Sequence, residues 1–427
     1  MSSPVATSRL RLLPILIAQG IGVACGVAGV KVNSQFMPPE VLGAYGVYLT
    51  FIPIGTWVVH AGLVKFVGRH WAESRHRPAL LGEMGRAWAR RLPWLALAAA
   101  SAAIAIQSLT STSWWLLAVS LTLTAALLAL GALVQAALQA ERAHWRDCLV
   151  SSSGSVTRTF SGPLAFAVSG GLVSALWWGL CGHALVVAFV AAWATGNYWR
   201  RRSRDPVRPR TLSAVYEGPL FIALALAAWG LAGLNRWMVA HFFGPVEAGY
   251  FTLAGGAAVV VATTVGTVFM QYFQPGFFAL GEGGAAAHAS LARRVDKVAG
   301  GFALTGLAAV LAFQLTAPLL VGPLIATDYR AALPWILPGG CFAIATWTGI
   351  FFHSLLLAGR RERACGIVDL ISAAVLVSGC FLAVIGGKTW FARWLVFTPL
   401  VPWLLTRPLA RHYLFKPDAT AAPSPAR

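Results

Sequence analysis

Long apolar runs follow one another along this chain with little between them, and that single feature limits the fold. A transmembrane helix needs about 20 mostly apolar residues, and such runs recur to the last tenth of the sequence. Hydrophobic residues make up 58% of the 427 positions and charged residues only 11%, where a water-soluble chain carries about 25% charged residues. The runs predict twelve spans. Six fall in the first half, at about 12–31, 44–66, 92–109, 114–139, 148–168 and 172–196. Six fall in the second, at about 213–241, 249–272, 298–325, 332–358, 365–386 and 391–409.

The basic residues test that reading. Cytoplasmic flanks of membrane spans collect Lys and Arg. Of 33 such residues, 27 fall on alternate connections and the two tails, and four (Lys31, Arg330, Lys388, Arg393) fall on the opposite side. The asymmetry holds through every connection, so both termini are expected in the cytoplasm. It also accounts for the net charge of +19 without nucleic acid as a partner. The expected class is an all-α polytopic membrane protein, multi-pass in the lipid bilayer. The N-terminal segment SSPVATSRLRLLP enters its span at once and reads as a retained helix rather than a cleaved signal. The most charged stretch, NYWRRRSRDPVRPR, divides the chain. The expected organisation is a six-helix lobe over 1–196, a basic cytoplasmic linker over 197–211, a second six-helix lobe over 212–412, and a disordered tail over 413–427. An even number of spans in each half gives both lobes one topology. Between spans eight and nine, LGEGGAAAHASLARRVDK predicts an amphipathic helix on the membrane surface.

An internal repeat supports the two lobes. FMPPEVLGAYGVYLTFIPIGTWVVHAGLVKFVGR, from Phe36, has a counterpart in FFGPVEAGYFTLAGGAAVVVATTVGTVFMQYFQP, from Phe242. Glu40 and Glu247 are 207 apart, whereas Arg69 and Pro275 are 206 apart. One residue of slip over such a span indicates two related halves.

Ionisable residues inside spans cost about 2.5–3.5 kcal/mol on insertion scales and usually face a cavity or a partner. Arg158 lies 11 residues past Asp147, roughly 16 Å into the bilayer, on a half-span rich in Ser and Thr. It reads as an anion-binding group or as an arginine paired to a neighbouring helix. Arg236, eight residues before Gly244, could contact substrate or snorkel outward. Lys31 and Lys65, at the outer end of span one and the inner end of span two, are interface anchors or further substrate contacts. Two acids, Glu217 before Pro219 and Asp369 near the inner end of span eleven, are candidates for ion coupling. Asp369 could instead pair with the basic cluster at Arg363. His60, His183, His241 and His353 are scattered singly and read as packing residues.

Other features read as structural. The six cysteines form no CxxC pair and imply neither disulfides nor a metal. Gly20, Gly22, Gly26 and Gly29 leave one face of span one nearly bare, which favours close helix packing. GGKT at 386–389 lacks the first glycine of a phosphate-binding loop and reads as an outer turn. HExxH, GxSxG and Cys/His metal spacing are absent, and no loop is long enough to frame a polymerising site. An enzyme is therefore not expected.

Two six-helix halves, with PPEVLGAYGVY and GPVEAGYF at corresponding places, resemble the polysaccharide transporters of the multidrug/oligosaccharidyl-lipid/polysaccharide (MOP) exporter superfamily. GLVKFVGRHWA at 62–72 and AGLNRWMVAHFFGPVEAGYF at 232–251 are similar to signatures of Wzx-type O-antigen and exopolysaccharide flippases. The resemblance implies two lobes around a central cavity, working by alternating access. The cargo it implies is an undecaprenyl-pyrophosphate-linked oligosaccharide, moved across the bacterial inner membrane. No cofactor is implied beyond a proton or sodium gradient, and other glycan-assembly membrane proteins are possible partners. Family members often carry an acid before the second-half arginine, where this chain has Asn235. The alternatives are a MATE-like exporter of drugs or organic cations, which favours an acidic cavity, a membrane enzyme acting on glycolipids, and a non-transporting scaffold.

Overall fold

A lipid core offers no water to backbone N–H and C=O groups, so a chain crossing it must satisfy them within its own segments. The structure, a computed structural model, meets that demand with helices. It describes residues 4–60, 63, 64, 67, 77–110, 113–141, 143–200, 233–281, 285–359 and 361–416. Among these residues there is no strand. The helices are α1 (Pro4–Phe36), α2 (Pro39–His60), α3 (Arg77–Thr110), α4 (Trp114–Ala140) and α5 (His144–Ser169), then a π-helical turn (Ala175–Cys181) leading into α6 (Gly182–Arg200). The second half gives α7 (Leu234–Phe243), α8 (Pro245–Gly281), α9 (Ala285–Leu320), α10 (Ile336–Ala358), α11 (Glu362–Ile385), α12 (Lys388–Phe397) and α13 (Arg407–Phe415). A 3₁₀ segment (Thr327–Trp335) precedes α10, and a second π-helical turn (Pro402–Thr406) precedes α13.

Seven of these helical stretches are long and apolar enough to cross a membrane, Trp114–Ala140 and Arg363–Ile385 being the most hydrophobic. The chain is an all-α polytopic membrane protein. Of the expected linker over 197–211, residues 197–200 continue α6, and of the expected tail over 413–427, residues 413–415 close α13; residues 201–232, which include the start of span seven, and those from 417 lie outside the described residues.

One element differs from its expectation. Among the described residues, no separate surface helix forms between spans eight and nine. Instead α8 runs 37 residues to Gly281 and α9 starts at Ala285 with 36 of its own. At 1.5 Å per residue each is about 55 Å long, against a hydrocarbon core of about 30 Å, so the connection is absorbed into helix ends. The apolar stretches at Phe277 and Leu291, both fully buried, pack better as continuous helices than as an isolated surface turn.

The described residues form two compact units: Met1–Val260 with Phe313–Gly339, and Val261–Ala312 with Gly340–Arg427. The boundary runs through α8, α9 and α10 rather than along the linker. The first unit thus holds the whole described N-terminal half together with residues 233–260 and 313–339 of the second. Its assembly depends on the repeat. A Cβ on Gly43 would strike the carbonyl of Pro245, and one on Gly249 would strike the carbonyl of Pro39. These two contacts are reciprocal. Pro39 and Pro245, like Gly43 and Gly249, are 206 residues apart, so the structure selects that register over 207. Glu247 serves this junction by accepting a hydrogen bond from Trp335 Nε1 at 3.1 Å, while Glu40 is exposed. The 3₁₀ segment is tied to the end of α1 by Tyr329 Oη donating to the Met37 carbonyl at 2.8 Å and by Ala326 N donating to Ser34 Oγ at 3.1 Å.

The bare face of α1 is a packing face: Gly22 lies over Ser155, Gly29 over Thr159, and Gly26 against Val260. In the second unit, Phe302 packs on Phe269 and Phe351, and Trp347 donates to Thr263 at 3.2 Å. Asp296 on α9 holds α13 by accepting from Arg407 at 2.8 and 3.1 Å and from Arg411. Within GGKT, Gly386 and Gly387 (φ 92) make the turn between α11 and α12, and Lys388 opens α12.

Candidate functional site

The polar half of α5 faces a cavity of about 450 Å³ inside the first unit, bounded by α2, α4, α5, the π-helical turn and α6. Its walls are mostly apolar, with Leu128, Leu180 and Val187 among them. Gln135, Ser151, Ser155, Arg158 and His183 supply most of its polar groups. Among the described residues Arg158 is its one fixed charge, and no acid lines it.

Each polar group has a local reason to be there. Ser and Thr in a transmembrane helix bond back to the carbonyl one turn earlier, as Ser155 does to Ser151 (3.1 Å) and Thr157 to Ser153 (2.7 Å). That leaves their oxygens as acceptors along α5. Gln135 donates to Ser151 Oγ at 2.9 Å and ties α4 to α5. Thr157 also meets His183 Nδ1 at 2.7 Å. This contact ties α5 to α6 at the cavity wall. Pro53 on α2 supplies no N–H to the Leu49 carbonyl one turn earlier, and both residues line the cavity.

Arg158 lines this cavity. Among the described residues its guanidinium has no ion-pair partner, and neither has that of Arg236. Arg236 is half-buried in the first turn of α7 and does not line this cavity. It belongs to the same compact unit, though, and the field of Arg158 reaches it, as it reaches Tyr45 and His183. Asn235 is buried and caps the Arg236 N–H with Oδ1 at 2.8 Å. Lys31 is exposed on α1 and does not line this cavity. Lys65 and Glu217 lie outside the described residues. Asp369 stands beside His353, as an ion pair if the histidine is protonated, rather than serving only the basic cluster.

Sequence reasoning missed Gln135 and His183. The signal for Gln135 was present, since it interrupts the apolar run LLALGALVQAAL. His183 could not be distinguished from the other single histidines until α5 and α6 were placed together.

By sequence, no family model and no curated protein matches the chain. Solved structures do match. An inward-facing multidrug resistance MATE family transporter of the MOP superfamily superposes with a TM-score of 0.56 at 15% identity, covering 95% of this chain and 99% of its own. The MATE multidrug transporter DinF-BH gives 0.58 at 15% identity, covering 97% and 96%. The Vibrio cholerae MATE transporter VcmN in its bent form gives 0.51 at 14%, covering 96% and 100%. The fold is that of the MATE transporters. Identities this low carry the fold and not the cargo.

Proposed function

We propose that this protein is a membrane transporter of the MATE fold that moves an amphipathic anion by alternating access, with the Arg158 cavity receiving the anionic group. The supporting observation is the charge. Two guanidiniums in one unit, each without an ion-pair partner among the described residues, repel each other in a low-dielectric setting. An anion that reaches them relieves both the repulsion and the desolvation. A polyprenyl-pyrophosphate-linked oligosaccharide has that chemistry: a strongly anionic headgroup with polar sugars, on a lipid tail that stays in the bilayer.

A second reading is a multidrug exporter. The comparisons favour it over the glycolipid cargo, because the MATE structures named above are multidrug transporters. The cavity favours the anion, because a site for organic cations calls for an acid and its lining has none among the described residues.

Deletion of the gene, followed by mass spectrometry of lipid-linked glycans, separates the two. The first reading expects one polyprenyl-pyrophosphate oligosaccharide to accumulate on the cytoplasmic leaflet, relieved by the wild-type gene and not by Arg158→Ala. Unchanged glycolipids together with new sensitivity to cationic dyes and drugs would establish the second reading instead.

A further inference from the structure

The second unit holds a cluster that the Arg158 cavity does not use. His353 lies five residues before the end of α10, and Cys365 and Asp369 lie near the start of α11. The last two are four residues apart, so they share one helix face and present it to α10. One ligand atom from each of the three, an imidazole nitrogen, the Cys365 Sγ and a carboxylate oxygen, lies within 4.8 Å of the others. Cys365 is buried and the other two are half-buried. His353 Nε2 meets Asp369 Oδ1.

We propose that His353, Cys365 and Asp369 form a binding site for a zinc-class divalent cation, clamping α10 to α11. The ligand set selects the metal. A thiolate and an imidazole suit zinc and its neighbours, whereas magnesium, calcium and sodium take oxygen ligands. Ligands around zinc at about 2.0–2.3 Å stand roughly 3.4–3.8 Å apart, so the site forms by side-chain adjustment, the wider pairs drawing in and the His353–Asp369 contact opening.

Charge favours it too. Binding releases the thiol proton of Cys365 to water, leaving one thiolate, one carboxylate and a neutral imidazole. Together with a divalent ion the site is electrically neutral, and a neutral cluster is the cheapest charged assembly to hold at a membrane edge. The ligands stand within about 8–11 Å of the turn between the helices, next to Arg361 and Arg363, so the cation enters from the cytoplasmic edge. Three protein ligands leave a fourth position for water. A metal here pins the α10–α11 hairpin as a single piece.

The test uses the full-length wild-type protein in nanodiscs, treated with chelator and titrated with Co²⁺. The expected result is one cobalt per chain, with the ligand-field bands of a four-coordinate ion and a thiolate-to-cobalt charge-transfer band, both removed by equimolar Zn²⁺. Cys365→Ser removes the charge-transfer band, and Asp369→Asn and His353→Gln each weaken binding at least about tenfold. Cys148→Ser, in the other compact unit, changes nothing. Zn²⁺ also slows alkylation of Cys365 in the unmutated protein, and chelator restores it, a readout that does not depend on any variant folding. Cobalt binding below one per chain, a spectrum without the thiolate band, or a band that survives Cys365→Ser would each overturn the site and leave a plain His353–Asp369 pair.

Discussion

Arg158 concentrates the chemistry of the first unit in one side chain. A hydrogen bond to a charged group is worth about 1.5–3 kcal/mol, so Arg158→Ala is expected to slow transport by roughly 10- to 150-fold while abundance in the membrane stays unchanged. Initial rates in proteoliposomes, set against immunoblots of membrane fractions, check this. Arg158→Lys should recover part of the rate, since it keeps the charge and loses the forked geometry. Gln135→Leu should cost less, about 1 kcal/mol or some fivefold, because it removes one neutral bond between α4 and α5 and no charge. Arg236→Ala is expected to impair transport as Arg158→Ala does. Normal rates from both arginine variants would end the two-guanidinium reading.

At the scale of elements, the reciprocal contact between the outer ends of α2 and α8 sets the constraint. Neither Gly43 nor Gly249 has room for a methyl group, because backbone atoms stand in the way and cannot rotate aside. Gly43→Ala or Gly249→Ala should therefore destabilise the first unit by about 1–3 kcal/mol, seen as a fall of about 2–6 °C in the melting temperature of the detergent-solubilised protein. Gly20→Ala is the matched control. It adds the same methyl group to a transmembrane helix where nothing lies within 4 Å, and it should leave the melting temperature unchanged. The long α8 and α9 carry the same lesson. Burial of Phe277 and Leu291 keeps the chain helical past the membrane, where residue composition alone pointed to a surface segment.

For the whole molecule, the charge asymmetry predicts orientation. In a cysteine-free background, Lys388→Cys should react with a membrane-impermeant maleimide in intact cells. Arg363→Cys should react only after the membrane is opened. Labelling of both in intact cells would refute the alternation of basic connections on which the topology rests. The two π-helical turns, each in a late span of its half, and the boundary through α8, α9 and α10 are likewise properties of the assembled molecule. Neither leaves a mark in the order of residues.

Membrane insertion, the helical class and the repeat were determined by the sequence alone. The reason is physical: the hydrocarbon core admits only self-satisfied backbone, apolar length sets the spans, and charge sets the sides. Arg158 was legible for the same reason, since a charge at bilayer depth stands out against apolar neighbours. What the tertiary structure decided was everything that depends on which faces meet. It showed that Gly43 and Gly249 answer each other across two helix ends, fixing the register at 206. It brought Gln135 and His183 to the cavity of Arg158, and it set Cys365 and Asp369 against His353. Each of these joins residues far apart in the chain or reads one helix face against another. Such pairings carry no periodic signal in sequence, because the packing of one helix on the next makes them.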